Sequence, residues 1–149
     1  MADRSEQQRL IRKRSRARRL TMQALYQWHV NPVPRNELKR QYSEKKEYAD
    51  ADAEYFDELL THALHDVEDN RSCIAELADR SLDNIDPLEA SIIMVALTEM
   101  RHRIDVPYRV VINEAVELAQ RFGATDGHKY VNAILDRAAA DLRVHEKSK

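Results

Sequence analysis

The chain has only two glycines and four prolines among its 149 residues, so few positions are expected to interrupt regular secondary structure. Between them, apolar side chains recur at intervals of three and four residues, which is the spacing of one face of an α-helix. No alternating apolar and polar pattern and no hairpin dipeptide is found, so no β-strand is predicted. The sequence therefore predicts an all-α fold of about seven helices.

One polar segment interrupts this helical pattern. The first helix is expected to stop where Pro32 and Pro34 follow it, since proline cannot continue a helix. A second helical pattern starts at Ala53 and is expected to break near Asp69 and Asn70. We predict a single domain over residues 1–149, with a basic N-terminal helix at about 9–29, a polar linker at about 31–52 and a helical remainder at 53–142.

Two aspartate–proline combinations predict the starts of later helices. Asp86 and Pro87 have the residue types preferred at the cap and in the first turn, and Asp105 and Pro107 repeat the signal. The helix after Pro87 is apolar on nearly every side in its middle, so it is expected to be buried all round.

Both glycines lie in FGATDGHKYVN, residues 122–132. We expect Gly123 to end one helix in the left-handed conformation that glycine adopts easily. Thr125 or Asp126 is expected to cap the next helix, since short polar side chains accept hydrogen bonds from its first N–H groups.

The same stretch places Asp126, His128, Lys129 and Tyr130 within five positions, as a small active site would. No second carboxylate or nucleophile accompanies them, and the chain lacks GxxxxGK[ST], GxGxxG, CxxC and GxSxG, so no enzyme is predicted. A lysine and a tyrosine beside free N–H groups suit RNA better, since tyrosine stacks on an unpaired base and lysine contacts phosphate. Interior packing of Tyr130 is the alternative.

Composition excludes several further classes of protein. No run of about 18 apolar residues exists, so no transmembrane helix is expected. The single cysteine, Cys73, excludes an internal disulfide and fits a reducing, cytoplasmic setting. His62 and His65 lack a convincing third ligand, so neither a metal nor another cofactor is predicted.

The net charge of −2 hides a strongly basic N-terminus. Residues 1–30 carry eight Lys or Arg against two Asp or Glu, whereas residues 31–100 carry seven against seventeen. Between residues 9 and 19 there is no acidic residue, so the basic side chains repel one another and a polyanion would relieve that repulsion. This helix predicts nucleic-acid binding, with a solvated helix face as the alternative. Its broad basic face consists of Arg9, Arg12, Lys13, Arg16 and Arg19, with Arg14 and Arg18 on a neighbouring face.

A family resemblance covers most of the chain. Residues 105–137, DVPYRVVINEAVELAQRFGATDGHKYVNAILDR, closely resemble the C-terminal signature of the bacterial transcription antitermination factor NusB family. Residues 14–30, RSRARRLTMQALYQWHV, resemble that family's arginine-rich first helix. Residues 55–64 and 88–100 match its middle helices more loosely.

The resemblance implies an all-α fold of two packed helical subdomains and a binding protein without catalysis. It implies binding to the single-stranded boxA element of nascent ribosomal RNA, jointly with the small-subunit ribosomal protein NusE, within the RNA polymerase antitermination complex. The family includes monomers and dimers, so a second copy of the chain is another partner to consider. The alternative is a NusB-like RNA-binding module related to ribosomal RNA methyltransferases.

Carried over residue by residue, the resemblance gives a set of candidate contacts. The family usually has Phe in place of Tyr130, and either ring can stack on a base. Glu89 and Tyr26 are the candidate contacts with the protein partner. The predicted RNA-binding residues are Arg12, Arg14, Arg16, Arg18, Asp126, Lys129 and Tyr130.

Overall fold

The computed structural model describes residues 3–147, which contain nine α-helices, a short 3-10 helix at Leu82–Asn84 and no strand. The predicted all-α fold is therefore confirmed. No helix in this part of the chain is long and apolar enough to cross a membrane. The helices are α1 (Arg4–Val30), α2 (Arg35–Ser43), α3 (Lys46–Ala49), α4 (Ala53–His65), α5 (Val67–Leu77), α6 (Pro87–His102), α7 (Tyr108–Phe122), α8 (Gly127–Leu142) and α9 (Val144–Lys147).

The helices form two compact units, which divide between Leu64 and His65. In the first unit, α1 runs from its cap Asp3, which accepts a hydrogen bond from the Glu6 N–H, and ends before the prolines as predicted. The apolar residues in the middle of α1, including Leu20 and Leu25, are buried. Helix α1 packs with α2 and α3.

The segment predicted as a polar linker contains α2 and α3. Helix α2 begins directly after Pro34 and buries two side chains one turn apart, Leu38 and Tyr42. The Tyr42 hydroxyl donates to Gln27 Oε1 of α1 at 3.0 Å. A second hydrogen bond between the two helices runs from Gln27 Nε2 to Gln41 Oε1 at 2.9 Å. Two buried side chains are too few to predict a helix in a polar segment, but with these hydrogen bonds they hold α2 in the first unit.

The second unit is built around α6, which packs against α5, α7 and α8. Every residue from Glu89 to Met100 is buried, which confirms the prediction for this helix. Its start is also as predicted, because Asp86 Oδ1 accepts from the N–H groups of Leu88 at 2.9 Å and Glu89 at 3.1 Å. At α7, by contrast, Asp105 does not cap the helix but pairs with Arg103.

The break predicted near Asp69 and Asn70 is wrong, because the chain breaks at Asp66 between α4 and α5. Asn70 instead lies fully buried inside α5. Its amide donates to Thr98 Oγ1 at 3.0 Å and to the Met94 carbonyl at 3.3 Å, both on α6. Because these contacts satisfy the amide, it does not compete with the helix backbone.

Candidate nucleic-acid interface

The basic face of α1 is open to solvent. Arg9, Arg12 and Arg16 are exposed and are spaced three and four residues apart, so they lie along one side of the helix. Within residues 3–147, no ionic partner is found for Arg9 or Arg12. Arg16 donates one hydrogen bond to the Asp50 carbonyl at 3.2 Å. An exposed row of cations along one side of a helix is the arrangement expected for a phosphate-binding helix.

The neighbouring basic residues of α1 face the interior of the first unit. The guanidinium carbons of Arg14 and Arg18 lie 4.1 Å and 5.6 Å from the centre of the Tyr55 ring on α4. Arg18 is only 4% exposed and Tyr55 only 2%. The predicted RNA contact of Arg18 does not fit this burial, so we assign Arg18 to packing. Arg14 is partly exposed, so it contacts the Tyr55 ring and also reaches solvent.

The second candidate region lies at the start of α8, in the other unit. Asp126 precedes the helix with φ 64°, the only non-glycine residue of the described chain with a positive φ. Asp126 occupies the cap position of α8, as predicted, but its side chain accepts no capping hydrogen bond. Instead Asp126 Oδ1 lies 3.3 Å from Lys129 Nζ, and both side chains are exposed. The lysine therefore reaches solvent with a carboxylate beside it.

Tyr130 is partly buried, with a cation over its ring. The guanidinium carbon of Arg80 lies 4.3 Å from the ring centre. The Tyr130 hydroxyl is buried and has no hydrogen-bond partner among the described residues. Burial raises the pKa of Tyr130, so the phenol stays neutral at physiological pH. The buried hydroxyl end agrees with the packing interpretation, whereas stacking of a base on the ring of this half-buried residue stays a prediction.

The two glycines make room for one buried carboxylate. Gly123 has φ −87° and ψ 179°, so the predicted left-handed conformation is wrong. A Cβ at Gly123 would lie 2.7 Å from the Ala119 carbonyl oxygen and 3.2 Å from Glu89 Oε2. A Cβ at Gly127 would lie 2.5 Å from the Glu89 Cδ and 2.6 Å from its Oε1. Any side chain at either position would collide with existing atoms.

Glu89 holds the loop that leads into α8. Its side chain is on the first turn of α6 and is only 5% exposed. Glu89 Oε2 accepts a hydrogen bond from the Ala124 N–H at 2.9 Å. This hydrogen bond fixes the loop, and the buried carboxylate has little exposed surface for a contact with a partner. We therefore assign Glu89 to positioning Asp126, Lys129 and Tyr130. The sequence contained one clue to this role, since the chain's only two glycines flank a single short loop.

Tyr26 is placed quite differently from Glu89. Its ring is 37% exposed on the C-terminal half of α1. It lines a surface cavity of about 550 Å³ with residues of α1, α2, α3 and the turn between α2 and α3. A direct contact of Tyr26 with a protein partner therefore stays a prediction that its exposure permits. Within residues 3–147, no three His, Cys, Asp or Glu side chains are grouped to hold a metal ion.

An exposed row of arginines on one helix and a lysine–tyrosine start of another are features typical of the nucleic-acid-binding class of all-α proteins. The sequence profile of the NusB family matches residues 15–140. The chain belongs to the NusB family. The predicted function class, a transcription antitermination factor that is not an enzyme, is confirmed by this membership.

Individual relatives agree with the family match. Transcription antitermination protein NusB of Hydrogenovibrio crunogenus is 41% identical over 143 residues, which cover 96% of this chain and 89% of the relative. The protein of the same name from Paraburkholderia phymatum is 44% identical over 133 residues, covering 89% of this chain and 92% of the relative. A solved structure of T. maritima NusB has the same fold, with a TM-score of 0.70 and 24% identity over 85% of this chain and 90% of its own.

Proposed function

We propose that this protein binds the single-stranded boxA element of nascent ribosomal RNA together with the ribosomal protein NusE, and so helps RNA polymerase pass terminators. The observation that carries the RNA part is the exposed row of Arg9, Arg12 and Arg16 along one side of α1. Membership of the NusB family supports the antitermination role.

The two candidate regions have different tasks in this proposal. Arginines on α1 contact phosphates, which supplies affinity but little choice of sequence. Tyr130 and Lys129 lie at the start of α8, where a ring can hold an unpaired base and a lysine can contact its phosphate. Sequence choice is expected there, because base edges are read only where bases are unstacked.

The proposed protein partner is recognised through a different surface. NusE is a ribosomal protein and so is expected to be basic, whereas residues 31–100 of this chain carry a net charge of −10. Oppositely charged surfaces speed association and disfavour wrong partners. The exposed ring of Tyr26, beside the cavity of the first unit, offers an apolar contact for such a partner.

Arg16→Ala is expected to weaken binding to every single-stranded RNA by a similar factor. The slope of log affinity against log salt should become shallower by about 0.7, because one phosphate contact is lost. Fluorescence anisotropy at several salt concentrations measures both quantities. Arg35→Ala, which removes one exposed charge from α2 instead, is the matched control. An unchanged slope for Arg16→Ala would remove Arg16 from the RNA contact.

The proposed function is tested with labelled boxA RNA and a scrambled RNA of the same composition, with and without the cognate NusE. We expect tighter binding of boxA than of the scrambled strand, and a larger difference when NusE is present. Equal binding of the two strands, unaffected by NusE, would contradict the proposal and leave only a basic helix with affinity for polyanions.

A further inference from the structure

Arg80 forms an unexpected contact with the start of α8. It lies between α5 and the short 3-10 helix, fifty positions before Tyr130, yet its guanidinium carbon is 4.3 Å from the Tyr130 ring centre. The two segments are also joined nearby, because Arg137 of α8 donates from Nη1 to the Leu77 carbonyl at 3.0 Å. Arg80 is therefore held beside the proposed base-binding ring by the fold of the second unit itself.

The guanidinium of Arg80 still has hydrogen-bonding capacity. Its Nε donates to Asp79 Oδ1 at 3.3 Å, a long contact between side chains that are 48% and 71% exposed. Such exposed pairs are weak, and within residues 3–147 no other ionic partner of Arg80 is found. Arginine has five N–H donors in one plane, so a guanidinium that stacks on a ring keeps donors at its edge for another ligand.

We propose that Arg80 binds a backbone phosphate of the RNA, next to the base that stacks at Tyr130. This inference rests on the proposed function and adds a residue that lies outside the basic helix and outside the α8 start. A planar guanidinium matches two oxygens of one phosphate, and few other RNA groups can satisfy its edge in this way. The Tyr130 ring holds the guanidinium in place before the RNA arrives.

The two cations near this ring have the same local arrangement. Arg80 has Asp79 beside it, and Lys129 has Asp126 at 3.3 Å. Each carboxylate is exposed and occupies one donor of its cation while no RNA is bound. A phosphate must therefore compete with the neighbouring carboxylate at both cations. Removal of the Asp79 charge is consequently expected to favour RNA, whereas removal of Arg80 is expected to disfavour it.

The test measures binding of labelled boxA and scrambled RNA to full-length Arg80→Ala and Asp79→Asn by fluorescence anisotropy over a range of salt. Arg80→Ala should raise Kd about tenfold at low salt, the loss of one charge-assisted hydrogen bond. Its salt slope should be shallower by about 0.7. Asp79→Asn should lower Kd for both strands. Arg71→Ala, an exposed arginine on α5, is the matched control for loss of one charge and should change neither quantity.

Three outcomes would overturn the Arg80 proposal. These are an Arg80→Ala effect no larger than that of Arg71→Ala, a weakened affinity with an unchanged salt slope, and tighter binding after Arg80→Ala. The last would mean that Arg80 merely covers the ring. If Arg80→Ala lowers the melting temperature, its Kd is not used and the proposal is tested by Asp79→Asn alone. An unchanged or raised Kd for Asp79→Asn then overturns the proposal. Failure of the proposed function is separate, since it appears as equal binding of boxA and scrambled RNA by the unmodified protein.

Discussion

Gly127→Ala is expected to destabilise the protein, although alanine is the better helix former. Gly127 is the first residue of α8, so alanine gains less than the roughly 1 kcal/mol of helix propensity that separates it from glycine in a helix interior. The new Cβ, however, would lie 2.5 Å from the Glu89 Cδ, and overpacking of this kind costs about 1–3 kcal/mol. The collision should outweigh the propensity, because the carboxylate is buried and tied to the Ala124 N–H. Chemical denaturation of the two proteins measures the difference in free energy of unfolding.

A double-mutant cycle shows whether Glu89 is the cause. Glu89→Ala alone leaves the Ala124 N–H without its acceptor, which costs about 1–3 kcal/mol if that group stays buried. Combined with Gly127→Ala, it also removes the collision, so the double variant should lose less stability than the two single losses added together. Gly123→Ala is the control, since its Cβ also meets the Ala119 backbone oxygen at 2.7 Å, and Glu89→Ala cannot relieve that contact. Additive losses for Gly127→Ala and Glu89→Ala would refute this account of the loop.

Tyr130→Ala is expected to weaken boxA binding by about 1–3 kcal/mol, the usual contribution of one aromatic ring stacked on a base. Loss of the ring also removes the support of the Arg80 guanidinium, so the effect should lie toward the upper end of this range. The salt slope should become shallower by less than for Arg80→Ala, because the Arg80 charge itself remains. Fluorescence anisotropy with the labelled strand gives the affinity, and thermal unfolding reports whether the variant stays folded.

Tyr130→Phe separates the ring from the hydroxyl. The hydroxyl is buried without a partner among the described residues, so its removal leaves the exposed part of the ring unchanged. We expect Tyr130→Phe to bind RNA as the unmodified protein does and to be at least as stable, since an unpaired buried hydroxyl is unfavourable. A loss below a few tenths of a kcal/mol for Tyr130→Ala would remove the ring from the site. A large loss for Tyr130→Phe would show instead that the hydroxyl contacts RNA.

Features of the fold that depend on local pattern could be predicted from the sequence. The start of α6 follows from Asp86 and Pro87, and its burial follows from apolar residues on all sides. Features that depend on distant contacts could not. The sequence predicts a helix break at Asn70, but the Asn70 amide donates a hydrogen bond to α6 and the helix continues. It predicts a left-handed conformation for Gly123, but the glycine is needed there because Glu89 lies beside it.

In the candidate site, too, features set by local pattern could be predicted from the sequence and features set by distant contacts could not. Charge and spacing predict a basic helix, and they place Arg12 and Arg16 on one broad side, where both are exposed. They cannot show that Arg18 is buried, because the ring that covers it, Tyr55, lies 37 positions further along the chain. Arg80 could not be found from the sequence, since it lies in an irregular segment and its place beside the Tyr130 ring depends on contacts with the distant helix α8.

The contacts of Arg14 and Arg18 with Tyr55 affect the entropy of RNA binding. Arginine-rich segments that fold only on binding lose conformational entropy at that moment, which lowers their affinity for a given contact area. Here the inner side of α1 is already fixed to α4, so the outward arginines are attached to a helix whose backbone is ordered beforehand. Only the exposed side chains lose conformational entropy when the RNA binds. A short RNA strand can therefore be bound through few contacts.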